Sequence, residues 1–194
     1  MNDKPIAAGK SSFSLIDPEL LFAALPLAGK TRILDAACGN GAYAVGLSKR
    51  VEPNACIYAL DLWEEGIREL KIAMDAQGIN NIQPILADIS KTSTLSDASI
   101  DLCLMASVLH DLIEDGVAEA AIKEITRIVK PGAELAVIEF KKMAGPPGPP
   151  EDIRITPDDL EKRLAPFGFN GLETREVGPY HYLFRFTLGP GQNT

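Results

Sequence analysis

The stretch from Leu34 to Ala44, LDAACGNGAYA, combines a carboxylate with closely spaced glycines, and both can contact a charged ligand. Gly39, Gly41 and Ala44 match the G-x-G-x-x-G/A spacing of turns that bind the pyrophosphate of a dinucleotide. Asp35, however, stands four residues before the first of these glycines. A pyrophosphate in this loop would therefore lie beside a group of its own charge.

Two further aspartates end the next two predicted strands. Asp61 lies 22 residues after Gly39, the usual position of an acid that binds ribose hydroxyls. Asp88 can accept a hydrogen bond from an adenine amino group. Leu62 and Ile89, the neighbours of these acids, are suited to sandwich a flat base. Because ligands of open α/β sheets bind outside the carboxyl ends of the strands, these acids predict a pocket for an adenosine group.

The charge of Asp35 narrows the choice of ligand. Two like charges about 4 Å apart repel by about 4 kcal/mol at an effective dielectric constant of about 20, which disfavours a pyrophosphate. S-adenosylmethionine instead carries an ammonium and a sulfonium and has no phosphate. Its ammonium suits Asp35, and its carboxylate can accept hydrogen bonds from amides of the loop or of the helix start. The sequence therefore favours the methyl donor.

Apolar strands that alternate with helical patterns predict the elements that position these acids. The alternation is typical of βαβ units with right-handed crossovers and a parallel sheet, and a terminal β-hairpin adds an antiparallel member. We predict a flexible lead over residues 1–14, one domain over 15–188 and a disordered tail over 189–194. The predicted strands are 31–35, 56–61, 82–88, 99–107, 133–140, 171–177 and 181–188, and the predicted helices are 18–26, 42–50, 64–78, 117–130 and 157–168.

The loop Asp35-Ala-Ala-Cys-Gly-Asn-Gly41 resembles the D/E-x-G-x-G-x-G motif of class I S-adenosylmethionine-dependent methyltransferases. Asp61, the segment Leu86-Ala87-Asp88 and the turn Lys130-Pro131-Gly132 resemble that family's later motifs, and the chain is similar to its ubiquinone/menaquinone-biosynthesis-type (methyltransferase type 11-like) members. The resemblance covers roughly residues 20–188. It implies an α/β, Rossmann-like, seven-stranded, mostly parallel sheet of order 3-2-1-4-5-7-6, with strand 7 antiparallel and helices on both faces.

The resemblance also implies S-adenosyl-L-methionine as cofactor and S-adenosyl-L-homocysteine as product. Ala37 replaces the motif's first glycine, and we expect it to be tolerated if it keeps a negative φ. The expected cofactor-binding residues are Asp35, Ala36, Ala37, Cys38, Gly39, Asn40, Gly41, Asp61, Leu62, Asp88, Ile89 and Ala106.

The end of strand 4 would lie beside the transferred methyl group in this family. His110 is therefore a candidate base or acceptor-orienting group, with Asp111 to orient it. Methyl transfer is an in-line displacement, so a base is needed only if the acceptor must lose a proton near the moment of attack. The expected acceptor-binding residues are Phe13, in a segment that could fold over the site, His110, Glu139, Tyr180 and His181.

The charge balance limits the partners. Against 27 Asp and Glu stand only 19 Lys and Arg, which gives a net charge of −8 and disfavours nucleic acid as a partner. No apolar run approaches the ~18–20 residues of a membrane span, and we expect a cytoplasmic location and a small-molecule acceptor. Cys38, Cys56 and Cys103 are expected to be ordinary thiols, and no metal site is predicted. The oligomeric state is not predictable from this sequence.

Two other functions stay open from the sequence alone. An NAD-dependent oxidoreductase would use the spacing of Gly39, Gly41 and Ala44 with Asp61, but this leaves Asp35 unexplained. A catalytically silent methyltransferase-like binding protein is the other, and the alanine at position 37 keeps it open. The acceptor atom, whether C, N, O or S, does not follow from the sequence.

Overall fold

The computed structural model describes residue 9 and residues 11–190, and a seven-stranded sheet lies at its centre. The strands are β1 (Arg32–Ala36), β2 (Cys56–Asp61), β3 (Ile82–Leu86), β4 (Ile100–Ala106), β5 (Val129–Phe140), β6 (Phe169–Glu176) and β7 (His181–Leu188). Their order is β3-β2-β1-β4-β5-β7-β6. Strand β7 runs antiparallel to both of its neighbours, and the other pairs are parallel. The predicted fold class and strand order are confirmed.

Helices connect the strands across both faces of the sheet. Within residues 11–190 the α-helices are α1 (Pro18–Ala24), α2 (Ala42–Ser48), α3 (Glu64–Gln77), α4 (Leu109–Glu114), α5 (Ala118–Ile128) and α6 (Pro157–Leu164), with short 3-10 turns at Ser12–Leu15, Glu151–Ile153 and Ala165–Phe167. The side chains of Asp17 and Thr156 accept backbone hydrogen bonds at the starts of α1 and α6. Each precedes a proline at the first helical position, so the local sequence defines both starts.

Alternate side chains of the central strands pack into two separate cores. On β1, Ile33 belongs to the cluster that contains Leu47 of α2 and Leu70 of α3. Its neighbour Leu34 belongs to the opposite cluster, with Ile125 of α5. All five side chains are inaccessible to solvent. The sheet is therefore buried on both faces, which leaves the strand ends as the places where polar groups can meet a ligand.

Several element bounds differ from the prediction. Helix α4 was not predicted, because its six residues are too short to show a helical pattern of apolar residues. Strand β3 ends at Leu86, so Asp88 lies in the following turn instead of at the strand end. Strand β5 already begins at Val129, and the pairing with β4 shifts between Ile100 and Leu102.

The chain ends are only partly covered by the structure. Residues 1–8, 10 and 191–194, which hold most of the predicted flexible lead and tail, lie outside the described residues. Within the lead, Ser12–Leu15 form a 3-10 turn and Ser12 is buried. Among the described residues, no helix has both the length and the apolar character needed to cross a membrane.

Asp101 joins the start of β1 to β4 at the edge of the sheet opposite the candidate site. Its Oδ2 accepts hydrogen bonds from the amides of Thr31 (3.0 Å) and Arg32 (2.9 Å), and Lys130 donates to its Oδ1. Burial alone would raise the pKa of Asp101, but Lys130 and these amides outweigh it and hold the pKa at about 2. This carboxylate therefore stabilises the fold above about pH 4, and the contribution is lost as the pH falls towards 2.

We expect Asp101→Asn to lower the free energy of unfolding at pH 7 by about 1–3 kcal/mol, because the buried donors lose their charged acceptor. The difference from wild type should shrink at pH 3. Urea unfolding at both pH values measures it. Asp75→Asn, on the exposed face of α3, is the matched control and should change stability by less than about 0.5 kcal/mol. Equal effects of the two variants would contradict the role of Asp101.

Candidate active site

A pocket opens at the carboxyl ends of β1, β2 and β4, where the sequence predicts the site. Its wall is built from the ends of these strands and the turns that follow them, from α4 and from the segment before α1. The lining residues are Gly9, Ser11, Ser12, Asp35, Ala37, Cys38, Gly39, Asn40, Tyr43, Leu60, Asp61, Leu62, Trp63, Ala87, Ile89, Ala106, Ser107, Val108, Asp111, Leu112 and Asp115. Of the predicted cofactor residues, Ala36, Gly41 and Asp88 do not line it.

Asp35 is the most deeply buried acid in the pocket wall. Only 1% of its surface is exposed, and its Oδ2 has no hydrogen-bond partner among the described residues. Burial raises the pKa of Asp35 to about 7, although the backbone amide of Ala44 acts in the opposite direction. A buried carboxylate oxygen without a donor is costly, because the charge has lost its water. A cationic group in the pocket would compensate it.

Asp61 holds the glycine loop against the second strand. The amide of Gly39 donates to its Oδ2 at 2.6 Å, and the amide of Trp63 donates to its Oδ1 at 2.7 Å. Burial raises the pKa of Asp61 in spite of these amides. Each oxygen can accept a second hydrogen bond, so Asp61 can still bind hydroxyl groups while it fixes the loop. Leu62, which follows it, is exposed in the pocket wall.

Asp88 does not reach the pocket, in contrast to its predicted place beside the base. Its Oδ1 accepts from the amide (2.9 Å) and hydroxyl (2.6 Å) of Ser90, and Lys91 lies 3.1 Å from its Oδ2. Burial raises the pKa of Asp88, but these donors outweigh it and the net pKa is lowered. Ala87 and Ile89, on either side, do line the pocket. The acid therefore stabilises its own turn, while its apolar neighbours form the wall.

The glycine loop adopts a left-handed backbone at three places. The φ angles are 56° at Ala37, 58° at Gly39 and 75° at Gly41. The condition of a negative φ, on which we expected Ala37 to be tolerated, is therefore not met, and the alanine is strained by roughly 1–2 kcal/mol. A Cβ at Gly41 would lie 2.4 Å from the Leu70 side chain, whereas one at Gly39 would meet nothing within 4 Å. The backbone at Gly39 is thus open to the pocket.

The segment before α1 closes one side of the pocket. The hydroxyl of Ser12 lies 2.8 Å from the Tyr43 hydroxyl of α2 and accepts a hydrogen bond, also at 2.8 Å, from Ser107 after β4. Phe13 does not line the pocket; it packs against Phe22 and edge-on against Tyr43. Of this segment, Ser11 and Ser12 form pocket wall, and Phe13 is half-buried against the core.

Helix α4 supplies the wall opposite the glycine loop. Asp111, Leu112 and Asp115 line the pocket, whereas His110, the predicted base, lies behind them with 5% of its surface exposed. His110 Nδ1 donates to Glu139 Oε2 at 2.7 Å, and its Nε2 lies 3.6 Å from Asp111 Oδ1. Asp111 therefore lies between His110 and the pocket, and the catalytic roles predicted for the two residues stay predictions.

Glu139 is fully buried at the end of β5 and does not line the pocket. Its Oε1 accepts from the amides of Leu109 (3.0 Å) and His110 (3.3 Å), at the start of α4. Burial lowers the pKa of His110, but the hydrogen bond and charge of Glu139, together with Asp111, outweigh it and the net pKa is raised. Glu139 thus positions α4 and its histidine.

His181 and Tyr180 also lie away from the pocket. The His181 ring stacks on Phe140 at 4.0 Å between centroids, and neither ring nitrogen has a hydrogen-bond partner among the described residues. Burial, with the positive charge of Arg154, lowers the pKa of His181 to about 4. The carbonyl of Tyr180 accepts from the amide of Lys141 at 2.8 Å. Both residues thus lie at the start of β7 and contact the end of β5 and the residue that follows it.

Tyr43, Trp63 and Ser107 line the pocket and were not predicted. Trp63, two residues after Asp61, could have been proposed from its position after a strand end. The contact of Ser107 with Ser12, which belongs to the segment that we expected could fold over the site, could not, because it joins positions 95 residues apart.

Known proteins share this arrangement. The strand order, the acid before the glycine loop and the second acid on β2 define a class I S-adenosylmethionine-dependent methyltransferase. Residues 33–132 match the model of the methyltransferase domain family, and the chain belongs to this family. It superposes on an S-adenosylmethionine-dependent methyltransferase from Aquifex aeolicus with a TM-score of 0.82 at 28% identity, covering 92% of this chain and 93% of that one.

Curated relatives are longer than this chain. The ubiquinone/menaquinone biosynthesis C-methyltransferase UbiE of Laribacter hongkongensis is 28% identical over 164 residues, which are 84% of this chain and 62% of that protein. The enzyme of the same name from Cupriavidus taiwanensis is 29% identical over 115 residues, 59% of this chain and 45% of that protein. The chain thus spans about half of the curated relatives it matches. The N-methyltransferase NodS of Bradyrhizobium japonicum, solved with S-adenosyl-L-homocysteine, has a TM-score of 0.69 at 18% identity and shows the fold alone.

We expect Ala37→Gly to raise the free energy of unfolding by about 0.5–1 kcal/mol, because glycine relieves the left-handed strain at some cost in unfolded-state entropy. It should also bind S-adenosylhomocysteine more tightly, since a methyl group leaves the pocket wall. Ala98→Gly is the matched control, with a φ of 44° outside the pocket. It should gain stability without any change in affinity. Thermal unfolding and calorimetry measure the two effects, and a loss of stability in Ala37→Gly would contradict the assigned strain.

The two histidines of this chain should titrate far apart. By NMR, we expect one imidazole to titrate near pH 4 (His181) and the other above the ordinary value of about 6.5 (His110). Glu139→Gln should lower the higher midpoint and leave the lower one near its place. The two shifts affect the free energy of unfolding in opposite ways. Neutral His181 stabilises the fold above about pH 6.5, and this stabilisation is lost as the pH falls towards 4. Protonated His110 stabilises the fold below about pH 6.5, and this stabilisation is lost as the pH rises further. Coincident titrations would refute this assignment.

Proposed function

We propose that this chain transfers a methyl group from S-adenosylmethionine to a small-molecule acceptor. The observation that carries the proposal is the buried Asp35 Oδ2, which lines the pocket without a partner. An ammonium fits this oxygen, whereas a pyrophosphate would be repelled by it. The cofactor of this family provides that ammonium.

The remaining wall suits the other parts of the cofactor. Asp61 would bind the ribose hydroxyls, Leu62 and Ile89 would cover the two faces of the adenine, and the open backbone at Gly39 allows close approach. S-adenosylmethionine, once bound, supplies an electrophilic methyl group on its sulfonium. The chain's own contribution is to hold the reacting groups in line and to exclude water, which can supply much of the acceleration.

The small size of the acceptor is supported by the site and by the charge. The pocket is walled by the segment before α1 on one side and by α4 on the other, and the chain's net charge of −8 disfavours a polyanionic substrate. The named relatives are C-methyltransferases of quinone biosynthesis. A ring carbon of a quinone-type compound is therefore one acceptor to be tested.

Asp35→Asn tests the proposal, because it separates binding from stability. In the ligand-free fold the pKa of Asp35 is about 7, against about 3.9 in an unfolded chain, so the folded state binds more protons between these values. The ionised carboxylate therefore destabilises the ligand-free protein as the pH rises from about 4 to 7. At pH 8 we expect the variant to melt at a higher temperature than wild type, and to bind S-adenosylhomocysteine about 10–100-fold more weakly.

Thermal unfolding with and without S-adenosylhomocysteine, and calorimetric affinity, give both readouts. Asp75→Asn, an exposed change of the same kind, should alter neither. NAD in the same assay represents the oxidoreductase alternative. Stabilisation by NAD but not by S-adenosylhomocysteine, or full affinity in Asp35→Asn, would overturn the proposed function.

A further inference from the structure

The pocket wall has to bind a carboxylate as well as positive charge, because S-adenosylmethionine carries both. The lining side chains with an N–H or O–H donor are Ser11, Ser12, Asn40, Tyr43, Trp63 and Ser107, and no lysine, arginine or histidine occurs among the lining residues that the structure describes. Within this part of the chain, the carboxylate can therefore be bound only by neutral side chains or by backbone amides.

Most amides of the glycine loop already donate hydrogen bonds within the protein. The amide of Gly39 donates to Asp61 Oδ2 at 2.6 Å. Those of Cys38 and Gly41 donate to carbonyl groups at 3.0 Å and 2.8 Å. Gly41 and Ala42, where α2 begins, do not line the pocket. The carboxylate therefore needs donors other than these amides.

Three hydroxyl groups form a hydrogen-bonded chain on the side of the pocket that the segment before α1 closes. Ser107 donates to Ser12, and the hydroxyls of Ser12 and Tyr43 share a second bond, each bond being 2.8 Å long. Three hydroxyls carry three hydrogens, and the two bonds use two of them. Because Ser107 donates its own, the third belongs to Ser12 or Tyr43, and it has no acceptor among the described residues.

Ser11 provides a second hydroxyl hydrogen on the same side. Its oxygen accepts from the amide of Phe13 at 3.3 Å, which leaves its hydrogen available. Burial raises the pKa of Tyr43, although Ser12 acts in the opposite direction, so the Tyr43 hydroxyl stays protonated at neutral pH. Two hydroxyl hydrogens thus lie on one side of the pocket, which matches the two oxygens of a carboxylate.

These hydroxyl groups adjoin the buried acid that suits the ammonium. The amide of Ala44, the residue after Tyr43, donates to Asp35, and both Asp35 and Tyr43 line the pocket. The ammonium and the carboxylate of an α-amino acid are bonded to the same carbon, so the groups that bind them must lie side by side. Asp35 and the hydroxyl groups meet this requirement.

We propose that Ser11 and the Ser12–Tyr43 pair bind the carboxylate of S-adenosylmethionine through neutral hydroxyl groups, and thereby distinguish the methyl donor from nucleosides that lack this carboxylate. This inference rests on the proposed methyltransferase function. A hydrogen bond from a hydroxyl to a carboxylate is stronger than one to a neutral acceptor. The bound carboxylate would also connect α2 to the segment before α1, which holds both serines.

Ligands that differ in one charged group test the inference. S-adenosylhomocysteine has both the ammonium and the carboxylate, its decarboxylated analogue keeps the ammonium, and methylthioadenosine has neither. Calorimetric affinities for the three nucleosides give the contribution of each group. We expect wild type to bind S-adenosylhomocysteine about 10–100-fold more tightly than the decarboxylated analogue, and this ratio is called the carboxylate preference.

Substitutions that delete only hydroxyl groups locate the recognition. Ser12→Ala combined with Tyr43→Phe removes both possible carriers of the free hydrogen, and it should reduce the carboxylate preference about 10-fold. Ser11→Ala should reduce it only a few-fold, because Ser11 is exposed and water competes for the carboxylate. Affinity for the decarboxylated analogue should change little in both variants, which also shows that they fold. Ser14→Ala, an exposed change in the same 3-10 turn outside the pocket wall, is the matched control and should alter no affinity.

Asp35→Asn should give the complementary pattern. It should reduce the preference for the decarboxylated analogue over methylthioadenosine, since the ammonium makes that difference. The hydroxyl variants should leave this second preference unchanged. The two ends of the amino acid group are thereby assigned to different residues.

The outcomes separate the two proposals. A wild type without carboxylate preference, or a preference that persists in Ser12→Ala/Tyr43→Phe and in Ser11→Ala, overturns the hydroxyl assignment and leaves the methyltransferase function standing. A preference that these variants keep but Lys10→Met loses does the same and assigns the carboxylate to a cation, at a position outside the described residues. Failure of all three nucleosides to bind removes both proposals.

Discussion

An ionised carboxylate inside a protein is costly unless donors or cations surround it, and the structure leaves one oxygen of Asp35 in this position. The residue lies on β1, which is paired on both sides by β2 and β4, and its side chain is 1% exposed in the wall of the pocket. The same placement makes the oxygen available to a ligand. A cation that binds there removes an existing penalty, and ligand binding and folding stability are therefore coupled through one atom.

A second buried acid, Glu139, differs from Asp35 because both of its oxygens have hydrogen-bond donors. Glu139 is fully buried, yet each of its oxygens has donors, two amides on one side and the His110 ring on the other. Such a satisfied carboxylate defines the position of the short helix α4, which would be marginal on its own. Glu139 thus has all its hydrogen-bond donors within the protein and positions one wall of the pocket. Asp35 has one oxygen that is left for a donor from a ligand.

Much of this architecture follows from sequence. The acids after β1 and β2, the capped starts of α1 and α6, and the terminal hairpin are local patterns, and the strand order came with the family motif that includes Asp35. The left-handed φ at Ala37 could not be predicted, because loop closure determines it and an alanine gives no local signal. Helix α4 was missed because six residues show no periodicity, so the position of His110 behind Asp111 could not be predicted either.

The contacts between residues far apart in the sequence could not be predicted from local sequence patterns. Ser12 meets Ser107 across 95 positions, and no spacing rule connects them. Asp88 had the residue type of a ligand-binding acid, but its own turn, through Ser90 and Lys91, uses both of its oxygens. Residue type and strand ends therefore identified the pocket, while the side chains that complete it depend on packing.

The loop that joins β5 to α6 and the segment before α1 are held by different kinds of interaction. Arg154, 2% exposed, donates to four carbonyls of the loop, those of Lys141, Gly145, Pro147 and Pro149. Ser12 is joined to the pocket wall by two neutral hydrogen bonds, each worth only about 0.5–1.5 kcal/mol, and its neighbour Phe13 packs on Phe22 and Tyr43. Displacing the loop would therefore strip a buried guanidinium of its acceptors, whereas displacing Ser12 would expose no charge.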